Sequence, residues 1–296
     1  MSLHLALEVD GDGADVAALT AHVTAAEAAG FALVTIADSP LPPADGSVRI
    51  EAGVRAAYLS RRTTRIGLAP TLHASVTEPF HLATQLASLD HASLGRAAWV
   101  VGAESSAAAA ATVGEPVLTG SDLRREIADV IDVARQLWDS WEDDAVIRDR
   151  ATSRFLDPDR VHHVNFTGAR FTVSGPLITP RPPQGQVVVI GADTLGVTSR
   201  LDIALVDTAD TAAGLGELTE RTALARADGA ALVFADLPSA DASLLRHLDG
   251  VVDGVRIRVA DIPLVTDLLK TRPPAGPTLR DTLGLPRPAN QFAVAG

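Results

Sequence analysis

Cysteine is absent from the 296 residues, so the chain can build no disulfide framework, zinc knuckle, iron–sulfur cluster or thiol nucleophile. Lysine is almost absent too. Lys270 is the single Lys among 25 basic residues, which face 37 Asp plus Glu and leave a net charge of −12. Acidity spread along a whole chain makes nucleic acid and anionic membranes poor partners. No window reaches the roughly 18 uninterrupted apolar residues of a membrane span, and Met1-Ser2-Leu3-His4-Leu5 is not a basic segment leading into an apolar one. A soluble, cytoplasmic protein is expected. P-loops, Gly-rich dinucleotide fingerprints and Ser nucleophile elbows are also missing.

What is present is a large apolar fraction, 47%, with 21% charged residues, enough for a full-sized core. Short apolar runs recur at Leu3–Val9, Phe31–Ala37, Arg65–Thr71, Ala97–Gly102, Val187–Ala192, Asp202–Val206, Ala230–Ala235 and Val255–Val259. Between most of them lie apolar residues at helical spacing, such as Val16, Leu19, Val23 and Ala26. The longest helix is expected from Ser121 to Trp141. Continuous apolar strands are buried on both faces, as parallel strands with outer helices are. Eight strands each followed by a helix give an α/β chain folded as a (β/α)8 TIM barrel, with a doubly wound open sheet as the alternative.

Val161–Phe166 and Phe171–Val173 flank the turn Thr167-Gly168-Ala169-Arg170 and read as a short hairpin insertion after the fourth strand. From Thr271 onward Pro273, Pro274, Pro277, Pro286 and Pro288 interrupt regular structure, so residues 271–296 are expected as an irregular arm over the barrel. No shift of composition divides the chain, and residues 1–296 read as one domain.

Four motifs carry a resemblance. They are Phe80-His81-Leu82-Ala83-Thr84-Gln85-Leu86-Ala87-Ser88-Leu89-Asp90-His91 followed by Gly95-Arg96-Ala97; Leu137-Trp138-Asp139-Ser140-Trp141; Gly175-Pro176-Leu177 with Pro180-Arg181-Pro182-Pro183-Gln184-Gly185; and Thr278-Leu279-Arg280-Asp281 with Leu283-Gly284-Leu285-Pro286-Arg287-Pro288-Ala289-Asn290. Together they resemble the luciferase-like flavin monooxygenases, in the nitrilotriacetate, dibenzothiophene-sulfone and pristinamycin-type branch. The resemblance implies a barrel that takes reduced FMN from a separate flavin reductase and activates dioxygen towards a small organic substrate. It also implies a homodimer, for which the Glu78–His91 helix offers Leu82, Leu86 and Leu89. Such enzymes carry a long insertion where this chain has a few residues after Val206.

The same resemblance assigns the site. Asp38, following the second strand at its C-terminal end, matches an acidic position near the flavin, and Thr71, ending the third, matches a ring contact. His73 stands where the family has a small hydroxyl residue; its imidazole titrates near working pH, which makes it the candidate general acid or base. Three positions depart from the pattern. Val100 replaces an Asn amide, Leu123-Arg124 replaces an Arg-Tyr pair, and Asp193-Thr194 replaces a Gly-Ser turn that would cradle phosphate. Two unit charges about 5 Å apart at an effective dielectric of about 20 repel by about 3 kcal/mol, so Asp193 is expected to weaken FMN binding. Arg124 or Arg181 would supply a compensating guanidinium.

Glu104, Asp193, Asp207, Asp236 and Asp261 are expected as a solvated acidic rim, and no spacing matches a metal motif. The adjacent His162 and His163 point to opposite faces of a strand and cannot share one ion. Two functions of different class follow: an FMNH2-dependent two-component monooxygenase, or a flavin-free barrel of the same descent retained as a binding or structural protein.

Overall fold

In the computed structural model, which describes residues 3–10, 14–207, 214–239, 242–263 and 276–293, eight parallel strands close into a barrel. They are β1 (His4–Val9), β2 (Leu33–Ile36), β3 (Gly67–His73), β4 (Ala98–Gly102), β7 (Val188–Ala192), β8 (Ile203–Asp207), β9 (Leu232–Asp236) and β10 (Gly254–Arg258). The ring runs β1-β2-β3-β4-β7-β8-β9-β10 and closes where β10 pairs with β1, His4 opposite Gly254. The open-sheet alternative is thereby excluded. The expected hairpin is present as β5 (Phe166–Thr167) and β6 (Thr172–Val173), antiparallel and shorter than the sequence suggested.

Among the described residues the outer helices are α1 (Val16–Ala28), α2 (Ala52–Leu59), α3 (Pro79–Ser93), α4 (Ala107–Val113), α5 (Gly120–Asp139), α6 (Gly214–Ala227) and α7 (Ala242–Leu248). α3 shows why the chain turns helical where it does. The Glu78 carboxylate accepts from the N–H groups of Phe80 and His81, Pro79 fits the first turn, and Leu94 in the left-handed region ends it. The expectation of a helix after every strand fails at β7. Residues 193–202, too few for a helix with its two loops, form two 3-10 turns, and α5 packs against the second of them. Arg200 anchors that turn to Asp132 of α5 through three hydrogen bonds of 2.8–3.0 Å.

The C-terminal segment also differs from expectation; residues 271–275 and 294–296 of the expected arm lie outside the described residues. What is described is not irregular throughout: α8 (Leu279–Leu283) opens on a capping box between Thr278 and Asp281 and ends at Gly284. Leu279, Leu283 and Leu285 enter the lumen at the N-terminal ends of the strands and pack with Leu33, Ala98, Val188 and Ile203. Burying each contributes roughly 1.5–3 kcal/mol. Gly67 leaves room for this plug, since a Cβ there would lie 2.7 Å from Leu279 Cδ1. Arg280, 3% exposed, pairs with Asp202 at 3.0 and 3.1 Å and donates to the Gln186 carbonyl.

The four sequence motifs serve this framework. Asp90 is buried and accepts from Ala97 N–H and the Gln184 side chain at 2.9 and 2.6 Å. Arg96 donates to the carbonyls of Ser60, Thr63, Ile66 and Ser93. Asn290 donates to the carbonyls of Asp139 and Trp141.

Candidate active site

Side chains alternate along a strand, so one residue in two faces the lumen. At the C-terminal ends the lumen has two unlike walls. On the side of β3, β4 and β7 it presents Thr71, Val100 and Ala192, with Gly102 covered by the ring of His73. Thr71 and Val100 are register partners, as are Val100 and Ile190. These side chains are small and uncharged, and Val100 is buried.

On the side of β9, β10 and β1 stand four charges that the sequence reading missed as a unit. Arg256 pairs with Glu8 at 2.9 Å and with both oxygens of Asp236. Arg258 pairs with Glu8 and Asp236, each at 2.9 Å. Burial pushes the Glu8 carboxyl up despite the two guanidinia. At Asp236 burial pushes the same way, but Arg256 and Arg258 together prevail and its carboxyl is lowered. Asp236 is therefore no member of a solvated acidic rim.

His73 is tied at both nitrogens. The Glu104 backbone N–H lies 3.2 Å from Nδ1, which must accept, and Nε2 then donates to the Asp38 carbonyl at 3.2 Å. The ring packs against Gly102, where a Cβ would approach its Nδ1 to 2.5 Å. In this arrangement the imidazole joins the ends of β2, β3 and β4 and has no lone pair left for a substrate, contrary to the acid–base role expected of it. Asp38 is similarly engaged. Its carboxylate accepts from the N–H groups of Ser39 and Ala52, the latter opening α2, with Arg49 at 3.8 Å. The structure thus brings Asp38, His73 and Glu104 together as one junction beside Thr71 and Val100.

The third group sits on the turn after β7. Asp193 is held by Arg221 of α6 through Nε at 3.0 Å and Nη2 at 2.8 Å. The hydrogen bond to Asp193 is also the chief reason the Arg221 guanidinium is raised. Asp193 is therefore not the bare repelling charge expected from sequence, because a bidentate pair largely cancels its field. Thr194 is exposed on the same turn. Arg124, in the first turns of α5, crosses over Gly196, whose Cβ would fall 2.4 Å from Arg124 Cδ. Arg124 is exposed and has no ion pair among the described residues.

Arg181 is not at the mouth. It is buried against Asp139 at 2.9 Å, Asp143 at 2.9 Å and the Pro288 carbonyl at 2.8 Å, and so fastens the C-terminal segment to the barrel. His162 bonds to Glu142 at 2.8 Å and stacks on Phe292, while His163 meets the Gly175 carbonyl. Among the described residues no group of three or more His, Asp or Glu is placed to hold a metal, and no helix is long and apolar enough to cross a membrane. Leu82, Leu86 and Leu89 face the barrel rather than solvent. They offer nothing to a partner.

Known proteins share this framework. The family model described as luciferase-like monooxygenase matches residues 3–245. A pristinamycin IIA synthase subunit of Streptomyces pristinaespiralis is 32% identical over 97% of this chain and 96% of its own. N-acetyl-S-(2-succino)cysteine monooxygenase of Bacillus subtilis is 42% identical, but over 47% of this chain and 32% of its own length. The chain therefore spans nearly all of one curated relative and about a third of another. Among solved structures, a riboflavin lyase aligns with a TM-score of 0.81 at 19% identity over 96% of both chains, and EDTA monooxygenase from Chelativorans sp. BNC1 with 0.77 at 19% over 97% and 99%. By the match over most of its length, the chain belongs to the luciferase-like monooxygenase family of flavin-dependent oxidoreductases.

Proposed function

We propose that this chain is the oxygenating component of a two-component monooxygenase, acting on a small organic substrate with reduced FMN delivered by a separate reductase. The observation that carries the reading is the two-walled mouth. A flat ring system would lie against the small wall of Thr71, Val100 and Ala192. The guanidinium of Arg124, without an ion pair among the described residues, stands at the turn where a phosphate tail would end. Reduced flavin, when bound, supplies the two electrons that activate dioxygen, and the protein supplies position and shelter from water. The box of Glu8, Asp236, Arg256 and Arg258 pairs two carboxylates with two guanidinia, so it forms a fixed polar surface that orients a ligand without competing for it.

The test is an anaerobic titration with reduced FMN, followed by absorbance, and the same titration with the oxidised form. Saturable binding of the reduced form supports the reading. Absence of binding of either form up to about 1 mM, a binding free energy near 4 kcal/mol, refutes it.

Val100 in place of a ring-bonding amide and the occupied Asp193 favour a second reading, a flavin-free barrel serving as a binding or structural subunit. The pristinamycin IIA synthase relative, matched over 97% of this chain and 96% of its own, is itself named as one part of a synthase, which suits a chain that works beside another. In either case we place it in a dimer of barrels. Its exposed surface on α2 and at the end of α3 includes Val54 and Leu94.

A further inference from the structure

We infer that Asp193 is the internal occupant of an anion seat at the turn after β7, its carboxylate standing where the phosphate monoester of a ligand would otherwise bind. The inference rests on the proposed binding of a flavin at this mouth and goes beyond it. Two guanidinia of different helices converge on the turn. Arg221 reaches it from α6 and spends two of its donors on Asp193, with a third donated to the Asp207 carbonyl. Glu217, half-exposed on α6, lies 3.9 Å from the same guanidinium. Arg124 reaches it from α5 over Gly196, a crossing that any side chain at position 196 would block.

A guanidinium fork fits a carboxylate and a phosphate with the same two parallel hydrogen bonds. The Arg221 fork is already filled from within the chain, while Arg124 is left without an anion among the described residues. A ligand phosphate must therefore displace Asp193 from Arg221 or settle for Arg124 alone. The internal carboxylate acts as a competitor present at high local concentration, and it selects against phosphate rather than against the flavin ring.

The experiment compares FMN with riboflavin, which lacks the phosphate, by fluorescence quenching on the wild type, Asp193→Asn and Asp193→Gly, and on each variant combined with Arg124→Ala. Thermal melts establish that the variants fold. The wild type is expected to bind the two flavins within about threefold of each other. Both Asp193 variants should bind FMN on the order of tenfold to a hundredfold more tightly with riboflavin unchanged, inorganic phosphate should compete for the gain, and Arg124→Ala should reverse part of it. A wild type that prefers FMN more than tenfold, with Asp193→Asn making no difference, overturns the inference. So does equal binding of FMN and riboflavin by every variant, although the proposed function then survives. If folded wild type and folded variants all bind neither flavin, the proposed function falls and this inference with it.

Discussion

Leu279 makes the closure of the barrel floor measurable. Its side chain is 1% exposed, and Cδ1 and Cδ2 stand 2.7 and 2.9 Å from the position a Cβ on Gly67 would take. Leu279→Ala removes three carbons from a lumen whose walls are hydrogen-bonded strands and cannot collapse inward. The transfer and cavity terms should then both apply nearly in full, a loss of about 3–5 kcal/mol. Gly67→Ala alone pushes a methyl into Leu279 and into Leu33 Cβ at 3.1 Å, which should cost about 1–3 kcal/mol as overpacking. In the double variant the new methyl enters the space that Leu279 vacated. The two costs should fall short of adding by about 1–2 kcal/mol. Urea unfolding of the four proteins, read at unchanged m value, gives the coupling directly. Strict additivity, or a cost below about 1 kcal/mol for Leu279→Ala, would refute the account of the floor.

Burial raises the Asp90 carboxyl from 3.8 to about 6, despite the donors around it, so the folded state binds its proton more tightly than the unfolded one. The stability this gives is whole below about pH 4 and lost as pH rises through 6, a change of about 3 kcal/mol relative to Asp90→Asn across pH 4–7; parallel pH profiles of the two proteins would contradict it. Arg256→Met strips Glu8 and Asp236 of a shared partner inside the barrel and should cost about 3–5 kcal/mol by urea unfolding, whereas a neutral result would mean the box relaxes onto Arg258. Sedimentation equilibrium should give twice the chain mass, and a concentration-independent 30.7 kDa would exclude the dimer.

The strands were readable because a buried parallel strand is apolar on both faces, and all eight lie within two residues of the runs picked from sequence. The missing helix after β7 was readable in principle, since ten residues cannot hold one, but the barrel pattern suggested it. Arg256 and Arg258 sit inside the otherwise apolar run Val255–Val259. Their spacing of two, with Glu8 alone in another strand, is the signature of charges facing a lumen. Arg221 could not be found that way, because nothing in a helix on one side of the barrel announces that it meets Asp193 on a neighbouring turn. Asp38 stands just past its strand as expected, whereas His73, expected two residues beyond the third strand, is the last residue of β3; what the sequence hid was that their polar atoms are already engaged by Glu104, Ala52 and each other.

The plug formed by α8 has a consequence for how the chain is made. The residues that shut the barrel floor come after all eight strands in the sequence, and Arg280 reaches back to Asp202 and Gln186 to fix them. A nascent chain that has already emerged through β10 owns a complete ring of strands and an open apolar tube beneath it. Until Leu279, Leu283 and Leu285 leave the ribosome, that tube is a sticky surface of the kind that draws chaperones or neighbouring chains. A premature stop after β10 should therefore yield an aggregating product even though every barrel strand is present.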